Sequence, residues 1–229
     1  MPIRTVIERG TKGNRSVAFA LDWPGWSRGA KTPALALAAL EAYRERYQPV
    51  AALAGMERAF AGAGLLEVVE DRVGTGSTDF WGISFSPSST EQDPVDAAEL
   101  ERKLTLLRAA WAFFDEIASR VSPEMRKGVR GGGRDRDHII RHVIRVESLD
   151  FASGVGLAFD EDGAEDLARS PDARRRYRED YLAAMHAYNA GEVAKRMRTR
   201  TLPVLIRHSA FHTLDHAWEM EDKDLSGEA

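Results

Sequence analysis

The sequence predicts an α+β chain: a small N-terminal ββαβ-type domain followed by a four-helix bundle. Three observations predict it. Strand-like segments and a capped helix fill residues 1–73, a Gly/Ser/Thr/Pro-rich linker covers 74–96, and long helical stretches occupy 97–229.

Arg4 to Glu8 and Ser16 to Leu21 have strand character, and Gly10 to Gly13 is the turn between them. Asp22, Pro24 and Gly25 break the pattern. Thr32 is placed as an N-cap with Pro33 at the first helical position, opening the Ala/Leu-rich helix TPALALAALEAYRERY. Gly62 and Gly64 end a further helical piece, and Leu65 to Glu70 reads as another strand. In the linker, Phe80, Trp81 and Phe85 argue for a segment that packs over a domain surface.

The helical part follows. Ala98 to Arg120 carries Leu104, Leu107, Trp111, Phe114 and Ile117 at the three-to-four spacing of a buried stripe, and Ser122-Pro123 stops it. A second helix is expected from Asp135 to Phe151. A third runs from Pro171 to Arg198, with Tyr177, Tyr181, Met185 and Tyr188 on one side. A fourth runs from Leu202 to Asp222.

Composition narrows the chemistry. The chain has 229 residues, enough to bury a sizeable core, and its formal charge of −4 disfavours whole-protein nucleic-acid binding. It contains no cysteine, so disulfides, thiolate zinc sites and cysteine nucleophiles are excluded. A bound metal must therefore use His, Asp or Glu. No apolar stretch approaches the ~20 residues of a membrane helix, and MPIRTVIERG lacks a signal-peptide core. The expectation is a cytoplasmic protein with no membrane partner.

The chemistry concentrates in the histidines. Five of the six fall in two windows: His138 and His142, then His208, His212 and His216. Random scattering of six would give roughly 0.13 pairs at i,i+4 spacing, far fewer than are present, so the spacing reads as chemistry. Residues four apart share a helix face, and two imidazoles from one helix with one from a neighbour make a three-nitrogen metal centre. Three protein ligands leave a coordination position open, the mark of a catalytic site. Zinc and nickel both suit imidazole. Glu219, Asp215 and Glu147 are spaced to orient ligand imidazoles; the alternative is three solvated acids. His138 and His208 are spare members, each one turn from a better candidate, which either replace that candidate or face solvent; His186 reads as structural or exposed.

The loop VRGGGRDRD, residues 129–137, lacks the Lys-Ser/Thr of a phosphate-binding loop. One reading is a flexible loop with a cap at Asp135 or Asp137. The other is an anion-binding rim beside the metal, with Arg130 and Arg134 holding a carboxylate of a thiol cofactor or substrate.

The runs RDRDHIIRHVIRVE and IRHSAFHTLDHAWEMED resemble the DinB-like superfamily over about residues 97–225. That superfamily is a four-helix bundle with one metal-binding His on the second helix and a His-x-x-x-His pair on the fourth. Matching residue by residue places the ligands at His142, His212 and His216. The resemblance implies metal-dependent thiol transfer with a low-molecular-weight thiol, thiol-dependent isomerisation, or hydrolysis. The N-terminal stretch VAFALDWPGWSRGAKTPALALAALEAYRER resembles the HicB-like antitoxin domain through Asp22, Pro24, Gly25 and Gly29. It implies a platform or self-association surface.

The sequence thus leads to a divalent-metal-dependent enzyme acting on a small molecule, possible as a homodimer. The alternative is a non-catalytic interaction or antitoxin-like protein in which the metal is structural or absent.

Overall fold

Pro24 and Gly25 set the course of the N-terminal sheet. The Trp26 amide donates to the Trp23 carbonyl at 3.1 Å, and Gly25 sits at φ 91°. Proline at the second position and a positive-φ glycine at the third define a type II turn. The chain therefore reverses between β2 (Ser16–Ala20) and β3 (Ser27–Ala30), which pair antiparallel. The Gly10–Arg15 turn likewise reverses β1 (Ile3–Arg9) onto β2, with Val6 opposite Phe19.

The computed structural model describes residues 1–128, 133–193, 197 and 200–227. The chain is mixed α+β, an N-terminal four-stranded sheet followed by helices. It divides into two compact units, Met1–Ala110 with Thr199–Phe211, and Trp111–Arg198 with His212–Ala229.

In the first unit the sheet order is β3-β2-β1-β4, with β4 (Leu66–Val73) parallel to β1. Parallel neighbours need a crossover, and here three helices supply it: α1 (Pro33–Ala42), α2 (Arg44–Leu53) and α3 (Glu57–Ala61). Thr32 caps α1 as expected, its hydroxyl accepting from the Leu35 amide at 3.3 Å. The expected single helix over residues 32–47 is instead broken at Tyr43 into α1 and α2. Strand β3 and the short helix α4 (Gly76–Trp81) were not anticipated.

The core of this unit includes Val6, Val17 and Phe19 on the strands and Leu21 just after β2. Trp26 stacks on Tyr47 at 5.7 Å, its indole N–H donates to the Leu40 carbonyl, and the Tyr47 hydroxyl donates to the Pro24 carbonyl. The turn and the crossover helices are thus fastened to each other.

The segment after β4 is held by a buried acid. Glu8 on β1 is fully buried and accepts from Arg72 Nη2 (2.6 Å), Ser84 Oγ (2.8 Å), Ser86 Oγ (3.0 Å) and the Thr78 hydroxyl. A second buried ion pair, Arg207 with Glu91 at 2.7 Å, also reaches the Ser84 carbonyl. The expected packing of the linker is seen in these bonds, whereas Phe80 and Trp81 face solvent.

The second unit contains α6 (Arg136–Arg145), a π-helical turn (Val146–Phe151), a 3₁₀ turn (Ala152–Val155), α7 (Glu161–Arg169) and α8 (Pro171–Asn189). The long helices α5 (Ala97–Arg120) and α9 (Leu202–Lys223) also contribute, since the boundary falls inside each of them. The stripe on α5 is buried as expected, and so are Tyr177, Tyr181, Met185 and Tyr188 on α8. Helix α8 stops at Asn189 rather than at 198, and Gly191 follows at φ 75°. A glycine in the left-handed region just past a helix is a usual terminator. Helix α7, not anticipated, is capped by Asp160, whose carboxylate accepts from the Gly163 amide at 2.8 Å.

Candidate metal centre

Helix α6 and the C-terminal half of α9 bring three histidines together. Their ligand nitrogens, one each from His142, His212 and His216, all lie within 4.8 Å of one another. His212 and His216 are one turn apart on α9, and their ring centroids are 4.7 Å apart. His142 faces both, at centroid distances of 5.1 and 4.9 Å. All three are half-buried.

The separations suit coordination. The Nε2 atoms of His142 and His212 are 3.2 Å apart. Two nitrogens bound ~2.0–2.1 Å from a tetrahedral ion stand about 3.3 Å apart, so this pair already spans one edge of such a site. The residue types fit as well. Burial and then His216 and Arg134 push the His142 imidazole down to about 4, which leaves it neutral and able to ligate at pH 7.

A carboxylate sets the tautomer of one ligand. His216 Nδ1 lies 2.7 Å from Glu219 Oε2, and Lys223 Nζ donates to Glu219 Oε1 at 2.5 Å. The hydrogen bond to His216 is the main reason that the Glu219 carboxyl falls to about 2. With Nδ1–H directed at Glu219, Nε2 is left as the ligand atom. The three-residue spacing on α9 makes this contact possible.

The other acids have different fates. Glu147, spaced to orient His142, instead turns inward on the π-helical turn and accepts the Trp111 indole N–H at 2.7 Å. Burial pushes its carboxyl up to about 7, against the opposing charge of Arg178. Arg178 is itself held by Asp115, at 2.5 and 3.2 Å. Asp215 is half-buried on α9. Trp111 and Glu147 are 36 residues apart, and no local spacing connects them.

The spare histidines separate clearly. His138 is exposed one turn before His142. His208 lies in the first unit, buried, with its Nε2–H donating to the Ser84 carbonyl and its ring edge-on to Phe85; burial pushes it down to about 3. His186 is half-buried on α8.

The anion rim is described in part. Arg130 lies outside the described residues. Arg134 is half-buried, and its buried Nη1 has no hydrogen-bond partner. Asp135 occupies the N-cap position of α6, but its side chain accepts no amide, and Asp137 pairs with Arg136 at 2.9 Å. Neither expected cap bond is therefore made.

No family model, curated protein or solved structure matches the chain. Among the described residues no helix is long and apolar enough to cross a membrane.

Proposed function

We propose that His142, His212 and His216 bind one divalent cation, zinc or nickel, in a metal-dependent enzyme acting on a small molecule. The reading then becomes more particular: a DinB-like protein, with α5, α6, α8 and α9 as its four bundle helices, carrying out thiol transfer, hydrolysis or isomerisation. The observation that carries it is the convergence of three imidazoles from two helices, with one already oriented by Glu219.

A bound ion would supply Lewis acidity, lowering the pKa of a thiol or water at its open position. The chain's own residues account for the rest of the site. His142 stays neutral because it is partly desolvated. Glu219 fixes the ring of His216, and Lys223 holds Glu219 in turn. Phe151 packs edge-on to His212 at 5.9 Å and limits its rotation.

Thiol consumption in the presence of an electrophile, with and without metal, tests this reading. Metal-dependent turnover is expected, with a loss of roughly 100-fold or more in His212→Ala at unchanged helicity. Equal turnover in the variant would overturn the assignment.

Two observations favour a second reading, a non-catalytic interaction protein. Phe80 and Trp81 on α4 are 72% and 63% exposed, and their rings contact each other at 4.6 Å. The β1–β2–β3 meander and its type II turn also suit a HicB-like domain. Under that reading the metal is structural or absent, and no metal-dependent thiol turnover occurs.

A further inference from the structure

The end of the sheet where β1 turns into β2 carries positive charge that the chain leaves unmatched. Arg15 and Lys31 flank the last β2–β3 pair, Ser16 with Ala30, so the register sets them side by side. Like charges opposite each other on neighbouring strands repel. Lys12 lies in the adjoining Gly10–Arg15 turn. All three residues are exposed, and none forms an ion pair with a described residue. Such a cluster raises the local concentration of anions.

Helix α4 is seated against the same end. The Asp79 carboxylate accepts from the Thr11 hydroxyl at 2.7 Å and from the Lys12 amide at 3.1 Å, so the acid of this helix is taken up by the turn. A Cβ added at Gly82, just past α4, would stand 2.7 Å from Arg15 Nη1, which places the guanidinium over that residue. The Gly82 carbonyl in turn lies 2.9 Å from where a Cβ of Gly29 on β3 would be. Phe80 and Trp81 are thereby held beside the cations, 72% and 63% exposed. Their planes meet at 82°, edge to face, an arrangement that leaves ring faces open.

We propose that this end of the sheet binds a single-stranded nucleic acid, with bases stacked on Phe80 and Trp81 and phosphates on Lys12, Arg15 and Lys31. Open aromatic faces set among cations are what a flexible strand of bases and phosphates requires. The chain's charge of −4 does not oppose this: with a Debye length of ~8 Å at physiological salt, a strand here responds to the local cations. An anionic lipid surface suits the patch less well, because Asp79 adjoins Phe80 and would be drawn among like-charged headgroups with the rings. The surface lies wholly in the first unit and calls for no metal.

A fluorescein-labelled oligothymidylate of about ten nucleotides, titrated with the whole chain and followed by anisotropy, is the probe. Three phosphate contacts predict a slope of about −2 for log affinity against log salt concentration. Lys12→Gln, Arg15→Gln and Lys31→Gln are each expected to reduce the size of that slope by about 0.7. Trp81→Ala is expected to weaken binding about fivefold or more, with the slope and the helicity retained. Trp81 also reports directly, since the other four tryptophans are at most 5% exposed, and the strand is expected to quench its emission. No binding at low salt, or binding that Trp81→Ala leaves unchanged, would overturn the nucleic-acid surface. So would a chain that ignores the strand but cosediments with phosphatidylserine vesicles through Trp81, which would assign the patch to lipid.

Discussion

Glu219 and Glu147 show how differently two carboxylates near the three-histidine cluster in sequence are used. Glu219 sits at the surface of the site, bonded to His216 and Lys223, and its ionised form is strongly favoured. Its role is to hold the His216 ring with Nε2 free. Glu219→Gln is expected to weaken zinc binding by roughly 10–100-fold while leaving the fold intact, as measured by competition with a chromophoric chelator. An unchanged affinity would remove Glu219 from the site. Glu147 is buried against Trp111, and its folded-state pKa is raised to about 7 from 4.5. Between those pH values the unfolded chain releases a proton that the folded chain keeps. Stability therefore falls as pH rises through this window, and the loss is complete above it. Glu147→Gln removes that contribution. Urea unfolding at pH 5 and pH 8 is expected to show a smaller pH-dependent loss in the variant, by roughly 2 kcal/mol. Equal losses in both proteins would contradict the buried, protonated carboxyl.

Elements in this chain are held by specific polar bonds as well as by apolar faces. Glu8 ties Arg72, Thr78, Ser84 and Ser86 to β1, beside the Arg207–Glu91 pair that also reaches Ser84. Glu8→Ala leaves Arg72 without its buried partner and is expected to cost about 3–5 kcal/mol in urea unfolding. A cost under about 1 kcal/mol would show that the segment is held otherwise. On α8 the Ser170 hydroxyl accepts from the Ala173 amide at 3.2 Å, with Pro171 in the first turn. Ser170→Ala is expected to cost about 1 kcal/mol. The start of α1 was legible from Thr32-Pro33, and that of α8 was placed at Pro171; Ser170, its cap, is the same kind of signal and went unread. The stripe of α5 was legible because its period matches the helix. Strand β3 was not, because Ser27–Ala30 is short and has no alternation of its own; it exists because the type II turn delivers it to β2. Helix α7 was hidden by its acidic composition, since it buries only Ala164 and Leu167. The π-helical turn is a backbone register change, and side-chain spacing does not encode it.

At the scale of the whole chain, the candidate metal centre forms where two helices distant in sequence meet. His142 and His212 are 70 residues apart, yet their Nε2 atoms are 3.2 Å apart. The spacing of four made both histidine windows legible, because it places side chains on one helix face in any fold. Sequence could not say which window members converge. His208 shares the spacing of His212 but is buried in the first unit against Ser84, and His138 shares that of His142 but faces solvent. An ion held by residues so far apart binds the folded chain and not the unfolded one. Zinc at about 100 times its Kd is then expected to stabilise the chain by about 2.7 kcal/mol, and a chelator to reverse the effect. The most direct measurement is X-ray absorption at the zinc edge of the loaded, desalted protein, together with its metal stoichiometry. The account predicts one zinc per chain with three imidazole nitrogens at ~2.0–2.1 Å, and loss of that signature in His142→Ala and in His212→Ala. Substoichiometric zinc, or the same spectrum in both variants, would contradict it.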